Sequence, residues 1–367
     1  MLETASDDCE SARIQAELLC WGLHPNEATS EILSRQNPCY DQKTGNFGIH
    51  IAFPNGSHTL VTVAHEFDYR SPYLLARQDG GFVLTKDRSP VCTVKEVQMP
   101  QWYLKHTTSG RRMPSVFLHE GSRFLHQAYS GCDYHRRHLG CGFCSAGNVW
   151  SIGTPEEVSE VVRAAVKENG NYHVCLGGGT RLPLERNYDY FLECTSRIRQ
   201  HSSSCVIWVE MIPPPPLRIT NLVKEGVTSF GFNIEVWDDR RRREVCPGKG
   251  TLPKKDYLKR MEKAVSLLGP NRVGSCLIVG LEPLESTIQG AQTLASIGVQ
   301  PCLLPFRPWD KSAYEESSPC VPETLTTVSG AAVQFMKASG INPHLNHGCL
   351  GCEGCTIDHD LYGLEHS

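Results

Sequence analysis

The pattern of hydrophobic and polar positions changes character near residue 115. Before it, short alternating segments are separated by PNG, DGG and DRSP turns, a pattern typical of small antiparallel hairpins. One amphipathic helix is predicted at residues 11–20. The predicted strands are residues 47–53, 59–63, 73–76, 81–85 and 92–97. We therefore expect a small β-rich domain over residues 1–114.

After residue 115, strand-like and helix-like segments alternate. The predicted strands are residues 124–129, 172–176, 205–212, 228–236, 272–281 and 299–306. The predicted helices are residues 154–167, 187–199, 217–224, 254–268, 285–296 and 323–337. The alternation predicts an α/β fold, a partial (β/α)6 barrel over residues 115–310 with a C-terminal extension over residues 311–367. Loops at the carboxyl ends of such strands usually carry the chemistry.

Composition narrows the class of protein. Of 367 residues, 40% are hydrophobic and 21% are charged, with a net charge of −4. That balance is typical of globular domains and gives no overall field that attracts nucleic acid or an anionic membrane. The sequence has no apolar run long enough to span a bilayer, and the start, MLETASDDCESARIQ, lacks the features of a secretory signal. We expect a cytoplasmic protein.

Seventeen cysteines are the unusual feature of the composition. Without a secretory signal they indicate metal, cluster or redox chemistry rather than a disulfide scaffold. Eleven are dispersed, and those in apolar strands, such as Cys175 and Cys276, are interpreted as small buried hydrophobic residues. The other six form two glycine-rich groups.

The first group, Cys132, Cys141 and Cys144, lies in GCDYHRRHLGCGFC, directly after the first barrel strand. Soft thiolates at short spacing suit an iron–sulfur cluster or zinc, and His135 or His138 could complete a zinc site. Phe143 places a planar ring beside the third cysteine, where a purine could stack. The next strand ends in Gly177, Gly178, Gly179 and Thr180 (GGGT), which exposes backbone to a ligand or simply makes a tight turn.

Together, these features resemble the radical S-adenosylmethionine (SAM) superfamily, over about residues 115–310. The Cx8CxxC spacing resembles a biotin-synthase-like branch more narrowly and departs from the common Cx3CxxC loop. The resemblance implies that the three cysteines hold a 4Fe–4S cluster whose open iron binds SAM. It also implies that Gly177–Gly179 line the methionine moiety, and that Glu210, Ile278 and Gly280 lie near ribose and adenine.

The tail motif HGCLGCEGC holds the second group, Cys349, Cys352 and Cys355. Three thiolates in CxxCxxC spacing predict an auxiliary 4Fe–4S cluster, and a zinc knuckle completed by His347 is the alternative. We expect the tail to fold back over the barrel mouth, where the carboxyl ends of the strands gather.

The leading functional hypothesis is therefore a radical SAM enzyme that inserts or exchanges sulfur in a small biosynthetic metabolite. Its expected cofactors are SAM and two 4Fe–4S clusters, and its expected partner is a one-electron reductant such as flavodoxin or ferredoxin. No side chain is assigned as a catalytic acid or base. Radical rearrangement or oxidation, with the auxiliary cluster as electron conduit or substrate anchor, stays open. So does a non-catalytic zinc- or cluster-binding interaction protein.

Overall fold

The structure, a computed structural model, describes residues 4–39, 48–63, 65–78, 81–121, 124–127, 131–145, 152–170, 172–345, 348–352 and 354–363. The end of the predicted first barrel strand, residues 128 and 129, lies outside these residues. So do residue 47 and the candidate zinc ligand His347.

The N-terminal part consists of two helices packed on an antiparallel sheet. The helices are α1 (Thr4–Trp21) and α2 (Glu27–Gln36). The strands, in the spatial order β2-β1-β5-β4-β3, are β1 (Gly48–Ala52), β2 (His58–Thr62), β3 (Tyr73–Gln78), β4 (Gly81–Lys86) and β5 (Ser89–Glu96). The sequence pattern predicts all five strands but not α2. Asn26 begins α2 by accepting a hydrogen bond from the Thr29 N–H at 3.0 Å.

The larger part is built on a seven-stranded sheet in the spatial order β12-β11-β10-β9-β8-β7-β6. Its strands are β6 (Phe117–Glu120), β7 (Phe124–Gln127), β8 (His173–Leu176), β9 (Val206–Glu210), β10 (Ser229–Gly231), β11 (Val273–Val279) and β12 (Gln300–Pro305). Strands β7 to β12 are parallel neighbours, and β6 pairs antiparallel with β7. The sheet curls into a half-barrel, which confirms the predicted fold class.

Two details of the sheet differ from the prediction. The fourth barrel strand is predicted over residues 228–236, yet β10 ends at Gly231. Beyond it the chain stays beside β11, where the Phe232 N–H donates to the Gly274 carbonyl at 2.9 Å, but Glu235 has φ +69° and leaves the extended conformation. An isolated bridge between Glu235 and Leu277 is the last pairing with β11. Strand β6 is not predicted. It forms a hairpin with β7 in which Glu120 faces Phe124.

The other helices alternate with the strands of this sheet along the chain or follow them. They are α3 (Asp133–Arg136), α4 (Pro155–Asn169), α5 (Glu185–Arg199), α6 (Pro216–Glu225), α7 (Asp239–Val245), α8 (Pro247–Gly250), α9 (Lys254–Leu268), α10 (Leu284–Ser296), α11 (Pro322–Ala338) and α12 (Asp358–Gly363). All six predicted helices are present. The predicted start signal of α4 is a capping box: Thr154 accepts from the Glu157 N–H at 3.2 Å and donates its own N–H to Glu157 at 2.8 Å. None of the helices in the described part of the chain has the length and apolar content that crossing a bilayer requires.

The main core lies between the helices and the convex face of the sheet, so a truncation there should destabilise the whole half-barrel. Leu303 on β12 is fully buried in this core, whereas Leu217 on α6 is 72% exposed. Leu303→Ala should lower the free energy of unfolding by about 2–5 kcal/mol because it leaves a cavity. Leu217→Ala should change it by less than about 0.5 kcal/mol. Urea denaturation of both variants measures this, and equal effects would contradict the assigned core.

Candidate active site

The first predicted cysteine is held by the glycine-rich end of β8. The Asp133 N–H donates to the Thr180 carbonyl at 2.7 Å, and the Asp133 carboxylate accepts from the Leu182 N–H at 2.7 Å. The Thr180 N–H points at the Cys132 sulfur from 3.4 Å. Three backbone and side-chain contacts therefore fix the start of the cysteine loop to the end of β8.

The glycines of GGGT allow this close approach. A Cβ on Gly179 would lie 1.9 Å from the Gly131 carbonyl oxygen and 2.8 Å from the Cys132 Cβ, so no side chain fits there. A Cβ on Gly177 would lie 2.9 Å from the Glu210 Cβ. The sequence motif thus serves the packing of the cysteine loop directly.

The second predicted cysteine rests on the segment Cys246–Gly250. The Cys246 thiol donates to Cys141 and lowers the pKa of Cys141 against the effect of burial, and Lys249 acts in the same direction. The Gly142 N–H donates to the Val245 carbonyl at 2.7 Å, and the Gly248 N–H donates to the carbonyl of Leu139 at 2.9 Å. A lowered pKa favours the thiolate, which is the form that binds metal.

Polar side chains at the carboxyl ends of β9 to β11 form a buried network below this loop. Asn233 donates to Glu210 at 2.7 Å and accepts from the Cys276 N–H at 3.2 Å. Lys249 forms an ion pair with Glu235, whose side chain is 9% exposed. Burial raises the pKa of Glu210.

The C-terminal tail lies at the opposite end of the barrel, which corrects the expectation that it covers the barrel mouth. The Asn342 N–H donates to Asn271, just before β11 begins, at 2.9 Å. Leu350 packs on Gly274, the second residue of β11, where a Cβ would lie 2.5 Å from the Leu350 Cδ2. The tail therefore enters the lumen from the end where the strands begin.

The three tail cysteines line the lower part of the lumen, and strand cysteines lie beside them. Cys175 and Cys276 are buried or half-buried as predicted, but on the concave face of the sheet rather than the helix-covered face. The thiols of Cys175 and Cys349 are hydrogen-bonding partners. Cys276 faces Cys302 across the β11–β12 register.

One cavity of about 360 Å³ occupies the lumen between the cysteine loop and the tail. From one end it is lined by Phe143, Glu210, Ile278 and Phe306, from the other by Trp208, Leu350, Cys349, Cys352 and Cys355. The remaining predicted site residues, Cys132, Cys141, Cys144, Gly177, Gly178, Gly179 and Gly280, are not among the described residues that line it. Gly280 instead lies against β12, where a Cβ would be 3.4 Å from the Phe306 Cβ.

Sequence reasoning missed the ionisable residues at the tail end of the cavity. Glu120 and His126 lie 3.2 Å apart on the β6–β7 hairpin, and the Glu120 carboxylate is 4.0 Å from the Cys352 thiol. Burial would raise the pKa of Glu120, but the charge of His126 lowers it to about 2. Burial would lower the pKa of His126, but Glu120 raises it to about 10. The repeat of FLH in FLHEGSRFLHQ was the available signal for this hairpin.

Comparison with known proteins identifies the half-barrel. Residues 129–289 match the model of the radical SAM superfamily. They form a radical SAM domain. Domains of this superfamily occur in enzymes that bind SAM and a 4Fe–4S cluster and take an electron from an external donor. The finer biotin-synthase-like resemblance stays a prediction.

The individual proteins that resemble this chain share low sequence identity with it. A bacteriochlorophyllide c C-7(1)-hydroxylase from Chlorobaculum limnaeum is 26% identical over 209 residues, 50% of this chain. The match covers 52% of that enzyme, so this chain spans about half its length. Methylornithine synthase superposes with a TM-score of 0.49 at 14% identity, over 65% of this chain and 68% of the other. A radical SAM methyltransferase from Sphaerobacter thermophilus gives 0.45 at 17% identity, over 74% and 76%.

The residues of the radical SAM domain fit the cluster that the superfamily carries. Cys132, Cys141 and Cys144 present soft sulfur donors on a loop whose backbone is fixed on two sides, and one of the three thiols already has a lowered pKa. Among the described residues, no three His, Cys, Asp or Glu side chains converge as ligands of a single metal ion. In a cubane cluster the three thiolates bind three different irons, so their sulfur atoms lie farther apart than the ligand atoms of a single metal ion.

Gly179→Ala tests the backbone contact that holds the cysteine loop. The new methyl group would collide with the Gly131 carbonyl, so the loop must move. The anaerobically reconstituted variant should lose about four irons, the content of one cubane. Gly330→Ala is the matched control, since a Cβ on Gly330 would have no heavy atom within 4 Å. Unchanged iron content in Gly179→Ala would contradict the role given to this contact.

Lys249→Met tests the ion pair below the loop. It leaves the Glu235 carboxylate buried without its partner, so the free energy of unfolding of the metal-free protein should fall by about 3 kcal/mol. Adding Glu235→Gln should restore most of the loss. Arg240→Met, which removes an exposed pair with Glu244, should change little. A double variant as unstable as Lys249→Met would show that the pair itself is not responsible.

Proposed function

We propose that this protein is a radical SAM enzyme with an auxiliary 4Fe–4S cluster on Cys349, Cys352 and Cys355, and that it inserts sulfur into a small metabolite. The observation that carries the proposal is the lumen cavity, because it is lined both by Phe143 of the cysteine loop and by all three tail thiols. A substrate in that cavity would lie between the two cluster sites.

The residues of the upper end would hold SAM. Phe143 offers a ring face for adenine, and Glu210 and Ile278 lie on the same cavity wall for ribose and adenine. Gly177–Gly179 would present backbone groups to the methionine moiety. Gly280 would act through its packing on β12, because it does not reach the cavity wall. Burial and the Asn233 amide keep the Glu210 carboxyl in one position.

The side chains at the tail end of the cavity suit a metal cluster that displaces thiol protons when it binds. Burial raises the pKa of Cys355 to about 12 although Arg307 opposes this, and it also raises the pKa of Cys352. These thiols are therefore protonated at neutral pH, and metal binding must displace their protons. His126 and Arg307 supply positive charge beside the thiolates that result.

Cys132, Cys141 and Cys144 would hold the first cluster, which would pass one electron from an external donor to SAM for cleavage to methionine and a 5′-deoxyadenosyl radical that takes a substrate hydrogen atom. Cys349, Cys352 and Cys355 would hold the auxiliary cluster, which would supply the sulfide for the new carbon–sulfur bond and accept the one electron that bond formation releases. The protein's contribution would be a lumen that holds and orients the substrate. A cavity of about 360 Å³ is near the lower end of the range for ligand pockets, which supports a small metabolite.

A second candidate is oxidation of a substrate carbon, with the tail cluster as electron conduit or substrate anchor. The name of the Chlorobaculum limnaeum relative, a C-7(1)-hydroxylase, favours it. Both candidates begin with removal of a hydrogen atom, and they differ in whether cluster sulfur enters the product. The electron for SAM cleavage would come from an external donor such as flavodoxin or ferredoxin.

Isotope transfer separates the two candidates. Protein reconstituted with labelled sulfide should give labelled product in a first turnover against a panel of small metabolites. The triple variant Cys349→Ala, Cys352→Ala, Cys355→Ala should still form 5′-deoxyadenosine, because the first cluster is intact, but no sulfur-containing product. Cys92→Ala, which changes a half-buried thiol outside the cavity, is the control. Unlabelled product would contradict sulfur insertion and favour oxidation.

A further inference from the structure

A buried histidine of the N-terminal sheet lies beside the tail cysteines. His50, on β1, is 4% exposed, and neither of its ring nitrogens has a hydrogen-bond partner among the residues that the structure describes. Buried polar atoms are nearly always paired, and each unpaired one destabilises the fold. The ring nitrogens of His50 therefore indicate a ligand that the described part of the chain does not supply.

The backbone around His50 is fixed so that the ring faces the tail. The Gln36 side chain accepts from the His50 N–H at 2.7 Å and donates to its carbonyl at 2.9 Å. His50 is paired with Leu60 across β1 and β2, and paired residues in a sheet point to the same face. Leu60 lines the lumen cavity. The His50 ring thus lies on the cavity side of the N-terminal sheet.

The tail docks on this same face. The Leu60 N–H and the Thr59 hydroxyl both donate to the Gly354 carbonyl, at 2.7 and 3.3 Å. A Cβ built on Gly354 would lie 3.4 Å from the His50 Cε1 and 3.5 Å from the Cys352 sulfur. The imidazole and the thiol therefore lie around the same side of Gly354, between Cys352 and Cys355 of the cysteine motif.

We infer that His50 is the fourth protein ligand of the auxiliary cluster, on the iron that the three tail thiolates leave open. The inference rests on the proposed function. Imidazole nitrogen is an established ligand in iron–sulfur sites, and ligation would give one unpaired ring nitrogen of His50 a partner. A fully ligated auxiliary cluster suits sulfide donation or electron transfer, and it leaves no open iron to anchor a substrate.

Cys175 is the competing ligand, since its thiol contacts Cys349. It is the weaker choice because that thiol already has a partner in the chain, whereas the His50 ring has none within the described ranges. His58 on β2 is the matched control histidine. Its ring centroid lies 6.2 Å from that of His50, and its Nε2 faces Gly121 rather than the tail.

The test uses full-length protein carrying Cys132→Ala, Cys141→Ala and Cys144→Ala, so that only the tail can hold a cluster and no SAM nitrogen interferes. After anaerobic reconstitution it should contain about four irons per chain. Pulsed EPR of the reduced protein should show a strongly coupled nitrogen that changes when the histidines carry ¹⁵N. His50→Leu should abolish that coupling and lower the iron content by about one. His58→Leu and Cys175→Ala should preserve both.

The outcomes distinguish failure of the inference from failure of the proposed function. Three results would overturn the role of His50 alone while leaving about four irons in the protein. They are the absence of a strongly coupled nitrogen, a coupling that survives His50→Leu, and a coupling that is lost in His347→Leu. Protein without iron, or with zinc instead, would overturn the auxiliary cluster and this inference with it. If His50→Leu does not fold, the ¹⁵N result on the parent and His50→Gln, which keeps a polar side chain, decide the question.

Discussion

The docking of the tail inside the barrel is the contact on which the rest of this structure depends. A half-barrel sheet leaves one end of its lumen uncovered, and residues 348–352 close that end by packing directly on strands. Gly274 and Gly348 make this possible, because a Cβ on either would lie within 2.5 Å of a side chain on the other segment. The hydrogen bond from Leu60 to Gly354 then joins the tail to the N-terminal sheet. Three separate regions of the sequence therefore share one enclosed space.

That enclosure gives the two cysteine groups different electrostatic environments. At the upper end, a neighbouring thiol and Lys249 lower the pKa of Cys141, so a metal-binding thiolate is already favoured. At the lower end, burial raises the pKa values of Cys352 and Cys355. Thiols of the second kind are stable and unreactive until a metal replaces their protons. Neighbouring charged and polar groups therefore favour the metal-binding thiolate at the upper site, whereas the lower site offers buried, protonated thiols in a space of fixed shape.

The sequence predicts the parallel half of the fold well because most strands there are short apolar runs separated by amphipathic helices. It does not predict β6, because the residue pattern of β6 resembles an extension of β7 rather than a separate strand of a hairpin. It also misplaces the end of the fourth strand, because the positive φ of Glu235 has no signal in the residue pattern. Both cysteine groups can be found by spacing alone.

The sequence does not predict at which end of the barrel the tail docks. That position depends on contacts between Leu350 and Gly274 and between Gly354 and Leu60, residues separated by up to about three hundred positions. The same separation hides the contact of Glu120 with Cys352 and the position of the His50 ring beside the tail from any local pattern. These residues become a candidate site only when the N-terminal sheet, the hairpin and the tail are folded together.

The central claim is that one cavity lies between two iron–sulfur clusters at opposite ends of the lumen. Anomalous diffraction at the iron edge, from crystals of the anaerobically reconstituted protein, tests it most directly. The account predicts two iron sites, one beside Cys132, Cys141 and Cys144 and one beside Cys349, Cys352 and Cys355, with the cavity between them. A single iron site at the first group, with zinc or no metal at the tail, would contradict it.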